Sequence, residues 1–372
     1  LSLQISPHVL AEPERYSLLC VPHPFIVPGG RFREMYYWDS FFTIKGLIAS
    51  GMTATAHGMV LNMAHLIEEF GFVPNGNRVY YLNRSQPPLL TWCVYALFKA
   101  TDDIQLVQQL LPTLRKELSF FYAHRRISVP GCAQPLFHYR VAADGPRPES
   151  FREDVETAEY IADGEKRRLW GDIAAAAESG RDFSSRWFSQ NGEHGGNLRT
   201  SAVIPVDLNA IIAGNLRLLS ELYSAVGNDE ESAWADAEFA ALKGAIHQVL
   251  WNEEHACWFD YDLSEQRQIT VYCDTNLFPL GARCAHDDLD SSRISAYLST
   301  AGALSFPGGL PSSLVASGEQ WDFPNAWAPT TWIVVDGLMA IGECATATAI
   351  AEKYLRTNFS IWSNSGGQMF EK

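Results

Sequence analysis

The sequence is poor in basic residues, and few of those are lysines. It has 28 Lys and Arg residues against 43 Asp and Glu, so the formal net charge at pH 7 is −15. Such an acidic chain is not expected to bind DNA, RNA or an anionic membrane surface. The sequence also contains no apolar run that approaches the roughly 20 residues of a membrane-spanning helix. We therefore expect neither a nucleic-acid partner nor a membrane partner.

Cysteine and histidine are too scattered to suggest a metal site. The seven cysteines are odd in number and never form a CxxC pair, which argues against a zinc site and a disulfide framework. The histidines show no HxH or HExxH spacing. Scattered cysteines favour a reducing compartment, so a cytoplasmic location is favoured over a periplasmic or secreted one. The first residues, from Leu1, do not decide the location.

The sequence does contain ample material for a packed helical protein. Hydrophobic residues make up 47% of the chain and aromatic residues 12%. Apolar residues recur at helical spacing in about ten segments, whereas the segment 256–272 alternates like a β-hairpin. No linker of Pro, Gly and Ser divides the chain, so we expect one domain over residues 1–372. The predicted helices cover residues 41–70 with a break at Gly51, 89–100, 104–122, 158–177, 206–225, 230–251, 277–285, 289–300, 327–341 and 345–355.

Helix pairs that alternate with long loops fit two architectures. An α-solenoid would show a repeat of fixed, modest length, and none is evident. A closed α/α toroid places its long loops at one end, around a central pocket, where they can carry a site on a rigid scaffold. We therefore expect an all-α toroid whose functional residues lie in the loops.

Five loops share an unusual mixture of Arg, Asp, Asn and aromatic residues with little Lys. Carboxylates, amides and guanidinium forks hold sugar hydroxyls, and indole faces cover the apolar face of a sugar ring. Each such residue taken singly is more often a solvated or capping side chain, but five similar loops indicate a ligand rich in hydroxyl groups. The loops are PGGRFREMYYWDS (28–40), PNGNRVYYLNRSQPP (74–88), GPRPES (145–150), SGRDFSSRW (179–187) and QWDFPNAWAP (320–329).

Among the hydrolytic chemistries, carboxylate-based glycoside hydrolysis fits best. The sequence has no GxxxxGK[ST] or GxGxxG phosphate loop and no GxSxG nucleophile elbow. Glycoside hydrolysis needs one protonated carboxyl as acid and one ionised carboxyl as base or nucleophile. Asp182, close to Phe183 and Trp187, is the candidate acid, because burial against aromatic groups raises a carboxyl pKa. The alternative is that Asp182 caps a helix that begins at FSSRW.

Taken together, the five stretches resemble the motifs of the trehalase family, glycoside hydrolase family 37. The resemblance runs from about Pro22 to the end of the chain. It implies an (α/α)6 toroid that hydrolyses α,α-trehalose to glucose with inversion, without a metal or organic cofactor, and we expect a monomer. By the same resemblance Asp182 is the general acid. The implied sugar-binding residues are Arg31, Trp38, Asp39, Asn75, Arg84, Ser85, Gln86, Arg147, Glu149 and Gly180.

Two departures from the family pattern bear on activity. Arg181 stands where the family usually has Trp before the acid. The family's general base is a Glu in a Gly-rich, GGGEY-like loop, whereas this sequence ends at MFEK, in which Glu371 resembles the stretch before that loop. We therefore expect a partial catalytic domain, with part of the toroid wall open and negligible trehalose hydrolysis by this chain alone.

Several alternatives stay open. Asp39, Glu319 or Asp322 could stand opposite Asp182 and act as the base. The chain could instead be a non-catalytic protein that binds trehalose or another glucoside. It could also be a related toroid glycosidase that acts on a different gluco-disaccharide.

Overall fold

The computed structural model describes residues 2–188 and 198–371, and helices dominate both stretches. Thirteen α-helices lie in these residues, against the ten or so that the sequence predicts. They are α1 (Pro7–Ala11), α2 (Tyr37–Ala49), α3 (Thr53–Phe70), α4 (Leu90–Thr101), α5 (Ile104–His124), α6 (Phe151–Thr157), α7 (Asp163–Glu178), α8 (Val206–Ala225), α9 (Asp229–Leu250), α10 (Phe278–Gly281), α11 (Ser291–Thr300), α12 (Ala328–Ala340) and α13 (Cys344–Asn364).

Most helix boundaries agree with the predicted segments, and the exceptions are local. α10 is much shorter than the predicted 277–285, because Arg283 adopts a left-handed backbone, with φ of 60°, just after it. α13 continues to Asn364, beyond the predicted end at residue 355. α1 and α6 were not predicted, because they are too short for a helical period to stand out.

The β structure consists of short antiparallel pieces between the helices. β1 pairs with β2, β3 with β4 and β6 with β7, while β5, β8 and β9 form a three-stranded sheet. The predicted hairpin exists in part, because β8 and β9 pair within 256–272, but β7 pairs with the preceding β6. The strands are β1 (Ser2–Leu3), β2 (Phe25–Ile26), β3 (Arg126–Ile127), β4 (Leu136–Phe137), β5 (Val203–Ile204), β6 (Trp251–Asn252), β7 (Cys257–Trp258), β8 (Tyr261–Asp262) and β9 (Arg267–Gln268).

The helices form a closed ring, so the expectation of an opening in the toroid wall is wrong for the inner helices of the described residues. From α2 onward the described residues contain twelve successive helices, α2 to α13. Five of them, which we call the inner helices, contact one another in chain order: α2 with α4, α4 with α8, α8 with α10 and α10 with α12. The ring closes because α12 returns to α2: the rings of Phe41 and Trp332 lie 5.8 Å apart, and those of Trp38 and Trp327 lie 4.8 Å apart. A solenoid would keep its first and last helices apart, so the architecture is the α/α toroid.

Close packing of the inner helices depends on glycine at two crossings. Gly337 of α12 faces α10, and a Cβ there would lie 2.6 Å from Cβ of Leu280 and 2.7 Å from the backbone N of Gly281. Gly214 of α8 likewise leaves room for the indole of Trp92, on α4. α8 is surrounded by α4, α5, α9 and α10, so buried residues occupy nearly its whole length. The inner ring is therefore a tightly packed support for the loops at its ends.

We predict that Gly337→Ala lowers the free energy of unfolding by about 1–3 kcal/mol, because the added methyl group must push α10 and α12 apart. Gly244→Ala is the matched control. Gly244 also lies inside a helix, α9, but a Cβ there meets nothing within 4 Å. The control should stabilise the protein by about 0.5–1 kcal/mol, since Ala favours the helix more than Gly. Urea unfolding measures both variants, and equal effects would contradict the close crossing.

Candidate active site

A cavity of about 360 Å³ lies at one end of the ring. The loops that precede α2, α4, α6, α8 and α12 all supply side chains to its wall. The wall mixes aromatic rings with charged and amide groups, which is typical of sites that bind polar small molecules. The lining residues are Arg31, Phe32, Tyr36, Trp38, Asp39, Asn75, Tyr80, Tyr81, Arg84, Gln86, Arg147, Glu149, Ser150, Ala177, Gly180, Asp182, Gln320, Trp321, Trp327 and Glu371.

The cavity brings together the residues that the sequence proposes for the site, with one exception. Asp182 and nine of the ten sugar-binding candidates line it. The exception is Ser85, which is buried behind the wall. Its N–H donates to Oε1 of Glu178 at 2.9 Å, and its hydroxyl donates to the carbonyl of Val73 at 2.7 Å. Ser85 is therefore placed to support its two neighbours rather than to touch a ligand.

The carboxyl of Asp182 lies at the cavity wall, with 33% of its side chain exposed. Burial raises the pKa of Asp182, while the guanidinium groups of Arg147 and Arg84 lower it, and burial is the stronger influence. Nη1 of Arg147 lies 3.5 Å from Oδ2 of Asp182. The carboxyl therefore keeps its proton to a higher pH than an exposed Asp does, which is the property that a general acid needs.

The alternative role for Asp182, as the cap of a helix, is wrong. The segment after it forms only a 3-10 turn, Ser185–Trp187. The cap of this turn is Ser184, whose hydroxyl accepts from the N–H of Arg186 at 3.3 Å. The Asp182 side chain instead faces the cavity.

A buried ion pair fixes Arg147 beside Asp182. Nε and Nη2 of Arg147 both donate to the carboxylate of Asp154, on α6, and Nη2 lies 2.8 Å from Oδ1. The backbone N–H of Arg147 donates to the same carboxylate at 2.8 Å. Because movement of the guanidinium would leave Asp154 buried without its partner, Nη1 is held toward Asp182.

A second guanidinium at the cavity carries a donor that a ligand could use. Nε of Arg84 donates to the amide oxygen of Asn75 at 2.8 Å, and Nη2 donates to Oε1 of Glu149 at 2.5 Å. Among the described residues, Nη1 of Arg84 and Oε2 of Glu149 are buried and meet no hydrogen-bond partner. A ligand with neighbouring hydroxyls would satisfy both, since one hydroxyl can accept from Nη1 and another can donate to Oε2.

Three tryptophans form an aromatic wall of the cavity. The rings of Trp38 and Trp327 lie 4.8 Å apart, and Trp327 meets Trp321 edge-on at 5.2 Å. Gly180 permits the approach of Trp38, because a Cβ at Gly180 would lie 2.5 Å from the indole. The φ of Gly180, +72°, also favours glycine. These indoles offer an apolar surface on which the C–H face of a sugar ring can pack.

Asp39 is a second carboxyl at the cavity whose affinity for a proton is changed by its surroundings. Burial is the main cause that raises the pKa of Asp39, to about 7. A hydrogen bond from its own backbone lowers this pKa, and the nearby charge of Glu371 raises it. The adjacent Trp38 donates its backbone N–H to Oε1 of Gln86 at 3.2 Å. Of the three alternatives for the base, Asp39 lines the cavity, whereas Glu319 and the fully buried Asp322 do not.

Arg181, the departure from the family motif, is buried and directed at another carboxylate. Its Nη2 lies 2.9 Å from Oδ1 of Asp274, and its guanidinium lies 4.9 Å from the centre of the Trp321 ring. The side chain of Arg181 is 1% exposed. A chain that places Arg here needs a carboxylate beside it, because an unpaired buried charge is costly.

Ten lining residues were not among the predicted site residues, although most lie within the five loops. The composition of these loops was the available signal. It does not tell which side chain of a loop faces inward, because that depends on how the backbone turns. The ten are Phe32, Tyr36, Tyr80, Tyr81, Ser150, Ala177, Gln320, Trp321, Trp327 and Glu371.

The described residues show neither a cluster of metal-binding side chains nor a helix able to span a membrane. Across residues 2–188 and 198–371, no group of three or more His, Cys, Asp or Glu side chains is arranged to hold a metal ion. In the same residues, no helix combines the length and apolar character that crossing a membrane requires.

Comparison with known proteins assigns the chain to a family. The family model for trehalase matches residues 1–372. The chain belongs to the trehalase family. Trehalase from Oryctolagus cuniculus is 42% identical over 379 residues, a match that covers 100% of this chain and 65% of that protein. Human trehalase is 41% identical, with the same two shares. The chain thus spans 65% of the length of these two trehalases.

Solved structures support the toroid fold of the trehalase family. Neutral trehalase Nth1 from Saccharomyces cerevisiae matches with a TM-score of 0.79 at 23% identity, covering 94% of this chain and 69% of that one. A GH63 mannosylglycerate hydrolase from Thermus thermophilus matches with a TM-score of 0.58 at 17% identity, covering 91% and 88%. At these identities the likeness concerns the fold alone, and it agrees with the ring of helices described above.

We predict that Gly180→Ala is more damaging than its backbone conformation alone explains, because the new Cβ meets the indole of Trp38. Gly227→Ala is the matched control, since Gly227 has a similar φ of +76° but meets nothing within 4 Å. Gly180→Ala should lower the free energy of unfolding by about 1–3 kcal/mol more than Gly227→Ala does. Thermal unfolding measures both, and equal losses would show that Trp38 does not pack against Gly180.

Proposed function

We propose that this protein is an α,α-trehalase, a glycoside hydrolase that converts α,α-trehalose to two glucose molecules with inversion. The proposal is carried by one observation: in a trehalase-family toroid, the Asp182 carboxyl, with a raised pKa, lies at a cavity 3.5 Å from Arg147. The unsatisfied atoms of Arg84 and Glu149 support a ligand rich in hydroxyls. We also propose that residues 1–372 form one partial catalytic domain, which is monomeric and uses no metal or organic cofactor.

In the proposed reaction Asp182 is the general acid. Its carboxyl gives a proton to the oxygen between the two glucose units as the bond from that oxygen to the anomeric carbon breaks. The carboxylate left on Asp182 is stabilised by Nη1 of Arg147. Water attacks the anomeric carbon from the opposite face and loses a proton to a second carboxylate, roughly 6.5–9.5 Å from the acid in inverting enzymes.

The proposed sugar contacts follow from the cavity wall. Arg84 and Glu149 would hold a pair of hydroxyls, and Asp39 would accept from another. Trp38 would cover an apolar ring face. Arg31 is exposed at the cavity and would close over the sugar from outside.

The presence or absence of a general base distinguishes two candidate functions, hydrolysis of trehalose and binding of trehalose alone. The family resemblance assigns the base to a Gly-rich loop that residues 1–372 do not contain, and it assigns Asp39 to sugar binding. A protein with the acid and the sugar cavity but without a base would bind trehalose and not cleave it. Glucose release from trehalose, measured beside trehalose binding by calorimetry, distinguishes hydrolysis from binding alone.

We predict that, in a version of the protein that contains the base, Asp182→Asn lowers kcat for trehalose by several orders of magnitude while trehalose binding is kept, because the amide cannot give up a proton. Without the substitution, kcat/KM of that version should fall as pH rises through the raised pKa of Asp182, since only the protonated carboxyl acts as acid. Coupled glucose detection across pH 4–9 gives both results. A kcat of Asp182→Asn close to that of the unsubstituted protein would contradict the assignment of Asp182 as the acid.

We further predict that Arg84→Lys weakens trehalose binding about 10- to 100-fold, because Lys cannot reproduce the guanidinium fork between Asn75 and Glu149. Arg152→Lys is the control. Arg152 lies on the outer surface of α6, where it pairs with Glu156, and its side chain is 81% exposed. The control should bind trehalose as the wild type does in calorimetry. Unchanged affinity in Arg84→Lys would remove Arg84 from the sugar site.

A further inference from the structure

The second Trp-Asp pair of the sequence, in QWDFPNAWAP, has no role in the chemistry proposed above. Its carboxyl, on Asp322, is 0% exposed and does not line the cavity. A buried carboxylate is costly unless hydrogen-bond donors surround it. The donors that surround Asp322 come from two different loops.

Three serine hydroxyls and one backbone N–H reach the Asp322 carboxylate. Oδ1 accepts from the hydroxyls of Ser184, at 3.0 Å, and Ser313, at 2.8 Å. Oδ2 accepts from the N–H of Ser185, at 2.8 Å, and the hydroxyl of Ser317, at 2.5 Å. Ser184 and Ser185 follow the acid, whereas Ser313 and Ser317 lie in the loop before α12. One buried carboxylate therefore ties the two loops together.

The residues just before Asp322 extend this connection to the acid itself. The side-chain amide of Gln320 donates to the backbone carbonyl of Asp182. The N–H of Trp321 donates to the carbonyl of Phe183 at 3.1 Å. Three consecutive residues, 320–322, thus hold four consecutive residues, 182–185. Because the acid's loop has little regular structure of its own, these contacts decide where its backbone lies.

We propose that Asp322 is a positioning residue that, through Ser184 and Ser185, holds the Asp182 carboxyl where it can protonate a glycosidic oxygen. The inference rests on the proposed general-acid role of Asp182. Misplacement of a reacting group by about 1 Å can lower a rate about 100-fold. Asp322 therefore acts on turnover more than on affinity for the sugar.

Two substitutions of Asp322, made like the other activity variants below in a version of the protein that contains the base, test this role. Asp322→Ala should lower kcat for trehalose about 10- to 100-fold and change KM by less than about threefold. Asp322→Asn should recover most of kcat, because its oxygen can still accept from the N–H of Ser185 while its amide donates to serine hydroxyls. A merely structural role would lower the amount of folded protein and leave the kcat of the folded fraction unchanged, which would overturn the proposal.

A matched pair of serines gives a milder test that should not prevent folding. The hydroxyls of Ser184 and Ser313 both donate to the same Oδ1, and each accepts a backbone N–H two residues ahead, from Arg186 at 3.3 Å and from Val315 at 3.2 Å. Replacing either serine by Ala therefore removes equivalent hydrogen bonds. Ser184→Ala should lower kcat about tenfold, whereas Ser313→Ala should stay within about twofold of the wild type. Equal kcat values in the two variants would overturn the proposal.

Asp172→Ala controls for a general loss of stability. Asp172 is 2% exposed and accepts from the N–H and the hydroxyl of Ser201, at 2.8 and 2.6 Å, but it does not line the cavity. The Asp172→Ala variant should lower the Tm as Asp322→Ala does, because a buried hydrogen-bond donor loses its acceptor in both variants. It should leave the kcat of the folded fraction unchanged. A kcat loss in Asp172→Ala equal to that in Asp322→Ala would overturn the proposal.

Hydrogen exchange separates failure of this inference from failure of the proposed function. If a version of the protein that contains the base released no glucose from trehalose, the proposed reaction would be refuted, yet exchange at the Ser185 amide could still be measured. Asp322→Ala should speed exchange at that amide about 10- to 100-fold, and Asp172→Ala should not. Unchanged exchange at Ser185 in Asp322→Ala would overturn the link between Asp322 and the acid's loop, whatever the activity.

Discussion

Buried guanidinium groups must be paired with carboxylates, and this requirement organises the loop end of the toroid. Removing one partner of such a pair costs about 3–5 kcal/mol, because the other charge is left uncompensated away from water. Except for Arg147 and Asp154, which are 7 positions apart, each pair joins segments at least 21 positions apart, so the loops cannot move independently of one another. The pairs are Arg84 with Glu149, Arg125 with Glu178, Arg147 with Asp154, Arg181 with Asp274, and Arg186 with both Asp207 and Asp260.

The same pairing sets the electrostatics of the proposed acid. Two guanidinium groups close to Asp182 would by themselves keep its carboxyl ionised, but one of them, on Arg147, is largely engaged by Asp154. Burial then outweighs their influence and raises the pKa of Asp182. The arrangement leaves a positive group near enough to stabilise the carboxylate that forms after proton transfer. A site of this kind can hold a proton before the reaction and tolerate its loss afterwards.

Arg181, which departs from the family motif, is accommodated by a carboxylate and an aromatic ring beside it. In the sequence, Arg181 stands directly before the proposed acid, where the family resemblance implies Trp. In the structure the guanidinium is paired with Asp274, whose other oxygen accepts from the hydroxyl of Thr330 at 2.6 Å. It also packs over the ring of Trp321, part of the cavity wall. Arg181 therefore helps to support the aromatic wall of the cavity.

The sequence by itself determined the helical class, most helix positions and the five loops that meet at the cavity, because apolar periodicity and loop composition are local properties. It also determined the family, through motifs that are contiguous in the chain. Only the tertiary structure decided that Ser85 lies behind the wall, that Ser184 and not Asp182 caps the following turn, and that Asp322 supports the acid's loop. These outcomes depend on contacts between distant residues: Ser184 and Asp322, for example, are 138 positions apart. Local patterns carry no information about such pairs, since the folding of the whole ring brings them together.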